Sequence, residues 1–346
     1  MDSTLTELCQ YFAAASCRGE RLALATTIRT EGSTYRKAGA RVLISSSGET
    51  SGLLSGGCLE ADLLARAERV IARGRGERVV FDTRGSDEPI WDLGCEGLTE
   101  VWLQPMSAET GHAPLPYIRQ CLEEERGGTV VTVIGGQALP TELGRHGYAG
   151  ASADDPLGGT LGTVSTDRPH ITTVRYMDRT LEVFAAPVTL PPALLLCGGG
   201  PDAVPIARLA DSLGWRVSVV DHRPAFAAAA HFPGTARVIL ARANELSDRV
   251  KTRQFDAAVI MSHHLPSDIE YLRQLARDPP QYVGLLGPAP RRKRLLEEVG
   301  PVLNALANRI YGPVGLKIGA NTPASIALSI IAQIHGVLTG HISVQG

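Results

Sequence analysis

From residue 194 onward, short unbroken apolar runs alternate with longer stretches whose apolar residues recur every three or four positions. Residues 194–197, 216–220, 237–241, 257–261 and 282–286 read as strands, with helical segments between most of them. That alternation builds a parallel sheet wound with helices on both faces, because a returning parallel strand needs a crossover long enough for a helix. The proline-rich stretch 187–192 sets the region off, since a residue before proline favours extended backbone.

The pattern before residue 187 is different. Residues 4–18 read as an amphipathic helix, and 22–28 and 41–45 as strands joined by a polar loop over 29–40. A helix is expected over 59–72, with Leu59, Leu63, Ala67, Val70 and Ile71 at helical spacing. Strands over 78–81 and 99–103 flank a loop, 82–98, rich in glycine and acidic residues. Residues 129–134 form a strong β run and 181–185 a shorter one, with weakly patterned, glycine-rich sequence between. A last helix is expected over 323–337, capped by Asn321 or Thr322 with proline in its first turn. The expected α/β chain has an α+β domain over 1–110, a small β-rich connecting region over 111–190 and a Rossmann-type doubly wound sheet over 191–346.

The strand over 194–197 runs directly into Gly198-Gly199-Gly200-Pro201-Asp202-Ala203, a G-x-G-x-x-A form of the dinucleotide fingerprint. Gly198 permits the tight turn, Gly200 lets backbone approach a phosphate, and Ala203 keeps helix and strand close. The free N–H groups and positive end of the following helix favour an anion. Asp221 ends the next strand, where an acid is expected to bond a ribose hydroxyl. Asp202 sits in the first helical turn, where it would repel a pyrophosphate. The other strand ends carry Ser262-His263-His264 and, after Gly287-Pro288, the basic cluster Arg291 to Arg294. Ligands in such sheets lie beyond these ends, which makes His263 and Arg291 candidate contacts. Adjacent histidines on extended chain point apart and would not grip one metal together.

The 346 residues are 44% hydrophobic and 20% charged, with a formal net charge of −2. That balance suits a globular protein with sizeable cores, and it supplies no field drawing the chain to nucleic acid or acidic lipid. No run reaches the length of a membrane span, and the start lacks a signal-peptide pattern. The six cysteines show neither CxxC spacing nor a disulfide framework, so reduced thiols in a cytoplasmic protein are expected.

Two cysteines stand in glycine-rich settings. Cys58 follows Gly56 and Gly57 at the start of the 59–72 helix, where a helix amino terminus favours a thiolate. Cys95 lies in the loop Leu93-Gly94-Cys95-Glu96-Gly97. Each is a candidate nucleophile or soft-metal ligand, and each can also be read as a small packed hydrophobe. The loop holding Ser33 and Arg36, with Arg41 at its end, mixes hydroxyls and cations in a way that suits an anionic ligand.

Together these segments resemble the XdhC/CoxI family, accessory factors of molybdenum hydroxylases such as xanthine dehydrogenase. The resemblance is carried by EGSTYRKAGARVLI, SGGCLEADL and LGCEG near the front, and by LLLCGGGPDAVPIARLA, VVDHRP, MSHH, YVGLLG and GANTPASIALSIIAQI near the end. It implies a chaperone that binds molybdenum cofactor (molybdopterin, with or without a nucleotide), supports its sulfuration and inserts it into a molybdenum hydroxylase. The implied partners are the apo-enzyme and a sulfur-donating desulfurase, with a homodimer left open. By motif match, Cys58 and Cys95 would handle molybdenum or sulfur, with Cys95 as the molybdenum ligand. Ser33, Arg36, Arg41, Gly56 and Gly57 would flank them, and Gly198, Gly200, Asp221, His263 and Arg291 would hold the phosphate or nucleotide end. The family loop commonly reads GCGG where Glu96 follows Cys95 here, and Ser325 and Gln333 replace frequent acids. An NAD(P)-dependent oxidoreductase and a nucleotide-sensing regulatory module are the alternatives, the first without a matching catalytic Lys, Tyr or His constellation.

Overall fold

The computed structural model describes residues 4–54, 59–84, 97–149 and 155–342. The chain divides into two compact units, Met1–Leu190 and Pro191–Gly346.

In the first unit, helix α1 (Thr4–Cys17) leads to strand β1 (Leu22–Gly32), against which β2 (Arg41–Ser45) returns antiparallel. Strand β3 (Thr50–Gly52), helix α2 (Glu60–Arg73), and strands β4 (Glu77–Asp82) and β5 (Gly97–Met106) complete an antiparallel sheet of order β3-β2-β1-β5-β4. Gly74 ends α2 in the left-handed region, donating its N–H to the Val70 carbonyl, a conformation glycine adopts without steric cost. Side-chain alternation sends Ala23, Ala25, Val42 and Ile44 toward α2. The opposite set, Leu22, Leu24 and Leu43, packs with α1 and helix α3 (Leu115–Glu123). A second sheet, order β7-β6-β9-β8, comprises β6 (Gly128–Gly136), β7 (His146–Gly147), β8 (His170–Tyr176) and β9 (Arg179–Val188), with the short helix α4 (Pro156–Leu161) before β8. Ile28 and Trp102 of the first sheet meet Ile134, Phe184 and Ala186 of the second.

β1 extends four residues past the expected end at Ile28. Beyond a bulge at Thr27/Arg29 it keeps pairing with β5, out to Gly32 opposite Gly97. The connecting loop is therefore only residues 33–40.

A polar chain crosses this unit. Trp102 Nε1 donates to Gln104 Oε1 (2.9 Å), which turns Gln104 Nε2 toward His146 Nε2 (2.8 Å). His146 Nδ1 then carries the proton and faces Thr132 Oγ1 at 2.9 Å. A second proton on His146 would oppose the Gln104 amide. Burial, with the charges of Arg41 and Arg145, lowers its pKa from 6.5 to about 3. The folded state thus resists a proton that the unfolded chain takes up below pH 6.5. His146 contributes its full stability above that pH, and the contribution is lost as pH falls toward 3, at about 1.4 kcal/mol per pH unit. Urea unfolding from pH 7 to 4 should show this slope in the native chain, and His146→Gln should remove it.

In the second unit the elements are β10 (Ala193–Cys197), α5 (Ala203–Ser212), β11 (Arg216–Asp221), β12 (Arg237–Leu240), α6 (Leu246–Arg249), β13 (Ala257–Ile260), α7 (Leu265–Leu275), β14 (Tyr282–Leu285), α8 (Ala289–Val299), β15 (Ile310–Tyr311) and α9 (Pro323–Leu338). The strands form one parallel sheet of order β12-β11-β10-β13-β14-β15, the Rossmann arrangement. Leu194 and Leu196 of β10 pack with Ile206 and Ala210 of α5 and Ile330 and Ile334 of α9. Leu195 and Cys197 face Leu272 and Leu275 of α7 and Leu295 of α8.

The two departures near the end of the chain have structural uses. Thr322 Oγ1 accepts the Ser325 N–H (3.2 Å) while Ser325 Oγ accepts the Thr322 N–H (2.9 Å), a reciprocal cap on α9. Gln333 Oε1 accepts from the Tyr282 hydroxyl (2.7 Å) and the Gly315 N–H (2.8 Å).

Candidate functional site

In the second unit, sheet order reverses between β10 and β13, and the crevice at their carboxyl ends is the natural ligand position. Gly198 leaves β10 at φ +128°, and a Cβ there would lie 2.6 Å from the Met261 carbonyl oxygen and 2.7 Å from the Ser262 nitrogen. Only glycine lets the turn pass so close to the end of β13. The Gly199 N–H donates to Asp221 Oδ2 at 2.9 Å.

Asp221 is 1% exposed, and both its oxygens are engaged. Oδ1 accepts from the Arg223 backbone N–H and Nε, both at 2.9 Å, and Oδ2 also accepts from Arg223 Nη2 at 2.7 Å. Burial raises its pKa, but the Arg223 and Gly199 bonds outweigh that and hold it below the ordinary carboxylate range. The carboxylate expected to meet a ribose is in this conformation the brace of the turn. Arg223, whose guanidinium lies 4.2 Å from the Phe226 ring centre, is the partner sequence reading missed.

Arg291 is held in a similar way. Its Nη2 lies 2.7 Å from Oδ2 of Asp268, a residue 1% exposed, while Asp268 Oδ1 accepts from Ser262 Oγ at 2.5 Å. Arg291, the expected phosphate contact, is in this conformation paired with the carboxylate that engages Ser262 just beyond β13. His263 is not extended as expected: its φ is +59°. Its Nε2 reaches Asp202 Oδ2 at 2.7 Å, while His264 Nδ1 turns to Ser267 Oγ at 2.9 Å. The structure therefore gathers Gly198, Gly200, Asp221 and His263 around one turn, with Arg291 joined through Asp268.

In the first unit, Gly56, Gly57, Cys58 and Cys95 lie outside the described residues. Their described neighbours in the chain converge. Thr83 Oγ1 donates to the Gly97 carbonyl (2.9 Å) and accepts the Gly97 N–H (3.1 Å), tying together the two ends of the segment that carries Cys95. A Cβ on Gly97 would lie 2.7 Å from the Ser33 carbonyl oxygen, so the 33–40 loop packs on the same point. Arg84 Nη2 pairs with Asp82 at 2.8 Å, and its hydrogen bonds pull the Asp82 pKa down to about 2. Asp62 and Arg66 of α2, the helix that follows Cys58 in sequence, line a cavity of about 380 Å³ with Val80, Phe81, Asp82 and Thr83.

Ser33 is exposed and Arg36 half-buried in the loop beside this point. Arg41 departs from the expected constellation. It is 4% exposed and shares the face of β2 that carries Leu43, toward α1 and α3 and away from α2. Among the described residues no cluster of three His, Cys, Asp or Glu side chains could hold a metal ion. No described helix is long and apolar enough to cross a membrane.

Fold and site together define a two-unit protein with an α+β unit and a Rossmann unit whose glycine turn is braced from within. Residues 194–334 match the model of the XdhC Rossmann domain, and residues 16–82 that of the XdhC and CoxI family. The chain is 36% identical over 318 residues to a probable xanthine dehydrogenase subunit of Bacillus subtilis, covering 91% of this chain and 92% of that protein. It is 31% identical over 160 residues to the uncharacterized protein YqeB of Escherichia coli, covering 44% of this chain and 29% of that one. A crystal structure described as a xanthine dehydrogenase from Bacillus halodurans superposes with a TM-score of 0.79 at 27% identity, covering 99% of this chain and 97% of that one. The chain belongs to the XdhC and CoxI family.

Proposed function

We propose that this protein is a maturation factor for a molybdenum hydroxylase of the xanthine dehydrogenase type, with molybdenum cofactor as its cargo. On this reading it receives the cofactor, holds it while a desulfurase supplies sulfur, and passes it to the apo-enzyme. The observation that carries the reading is the convergence in the first unit. The helix after Cys58 and the strand before the Cys95 segment line one cavity, and the Ser33 loop packs where that segment rejoins the sheet.

The chemistry of this edge suits such a cargo. Thiols are soft ligands for molybdenum and acceptors of sulfur, and the Ser33 and Thr34 hydroxyls with Arg36 and Lys37 suit a phosphate. The name of the Bacillus subtilis relative, which makes it part of a xanthine dehydrogenase, points to the same client class. Exchanging both thiols, in Cys58→Ala/Cys95→Ala, should lower activation of apo-xanthine dehydrogenase at least tenfold while leaving the thermal melt unchanged. Equal activation by the native chain and the double variant would remove the cysteines from this role.

A further inference from the structure

The contact between Asp202 and His263 is not explained by cargo handling in the first unit. It joins the residue that opens α5 to the residue after Ser262, across the glycine-rich turn. His263 adopts φ +59°, which strains a residue with a Cβ and places its Nε2 on Asp202. Asp202 Oδ1 is buried and has no hydrogen-bond partner, and a Cβ on Gly200 would lie 2.8 Å from it. A carboxylate is therefore folded back onto the third glycine of the turn, with an imidazole holding its other oxygen.

The turn is also short of donors for an anion. Pro201 has no N–H, and the Gly199 N–H is taken by Asp221. A diphosphate laid along this turn in the usual way would meet the negative charge of Asp202 with fewer backbone partners than the fold ordinarily offers.

We propose that Asp202 and His263 form a latch over the glycine-rich turn: closed, the carboxylate stands where a ligand phosphate would meet α5, and a phosphate-bearing ligand enters only by displacing it. Opening frees the His263 imidazole, which then changes partner from carboxylate to phosphate. The latch makes the turn selective against nucleoside diphosphates that a Rossmann unit would otherwise accept. It concerns the second unit alone and does not depend on the maturation role.

The probe is ADP-ribose, a nucleoside diphosphate, titrated into the full chain by calorimetry. Asp202→Ser and Asp202→Asn should each bind it at least tenfold more tightly than the native chain. In the native chain, concentrations high enough to bind should shift the His263 imidazole resonance, assigned through His263→Gln. Variants that bind no more tightly than the native chain overturn the proposal, as does native binding that leaves the His263 resonance in place. If the Asp202 variants fail to fold, the native resonance measurement decides alone.

Discussion

Asp221→Ala should destabilise the second unit by about 3 kcal/mol, and by as much as about 5. The carboxylate is 1% exposed and takes bonds from the Gly199 N–H and from three Arg223 donors. Removing it leaves a turn N–H without its acceptor and a guanidinium without its counter-charge. Arg223 is partly exposed and can recover some hydration, which places the expectation near the lower figure. Asp221→Asn keeps the shape and one acceptor, so its cost should be smaller. The folded carboxyl titrates below its ordinary value, so its contribution is complete above the unfolded pKa of 3.8 and is lost as pH falls through the folded value. Denaturant unfolding at pH 7 followed by a probe in the second unit, such as Trp215, measures the loss.

Gly198→Ala should cost about 3 kcal/mol through two effects. The φ of +128° lies where essentially only glycine rests, and the new methyl would press on the Met261 and Ser262 backbone at 2.6 to 2.7 Å. Neither neighbour is a flexible side-chain end that can step aside. Gly319→Ala gives a milder reference, since Gly319 has φ +76°, near the left-handed region, with nothing within 4 Å of where the methyl would sit. It should cost about 1 kcal/mol. Unfolding curves for the two variants should differ by the cost of the contact together with that of the more restricted backbone at Gly198.

The regular elements of the second unit were legible because each strand carries its own apolar run and each helix its own periodicity. Residues 194–197 and 216–220 match β10 and β11 to within a residue at each end. β15 was not, since two residues, Ile310 and Tyr311, hold no pattern of their own and pair only because β14 is beside them. In the first unit, α3 is nine residues long and β8 lies at a sheet edge with no fully buried residue, so neither leaves a strong signal.

The site was legible as a set of residue types and not as a set of bonds. The glycine turn could be read because its residues are consecutive. The Asp202–His263 contact joins positions 61 apart and depends on a left-handed histidine that no local pattern announces. Asp221 and Arg291 stand near the crevice as their positions suggest, yet Arg223 and Asp268 engage them. Arg41 shows the same limit. Its charge suggested an anionic ligand, but the alternation of β2 places it with Leu43 on the buried α1 face.

The most direct test of the maturation role is the pterin and molybdenum content of the full chain after incubation with molybdenum cofactor and removal of unbound material. The expected result is close to one pterin and one molybdenum per chain, carried through gel filtration. A chain that emerges with neither would contradict the role.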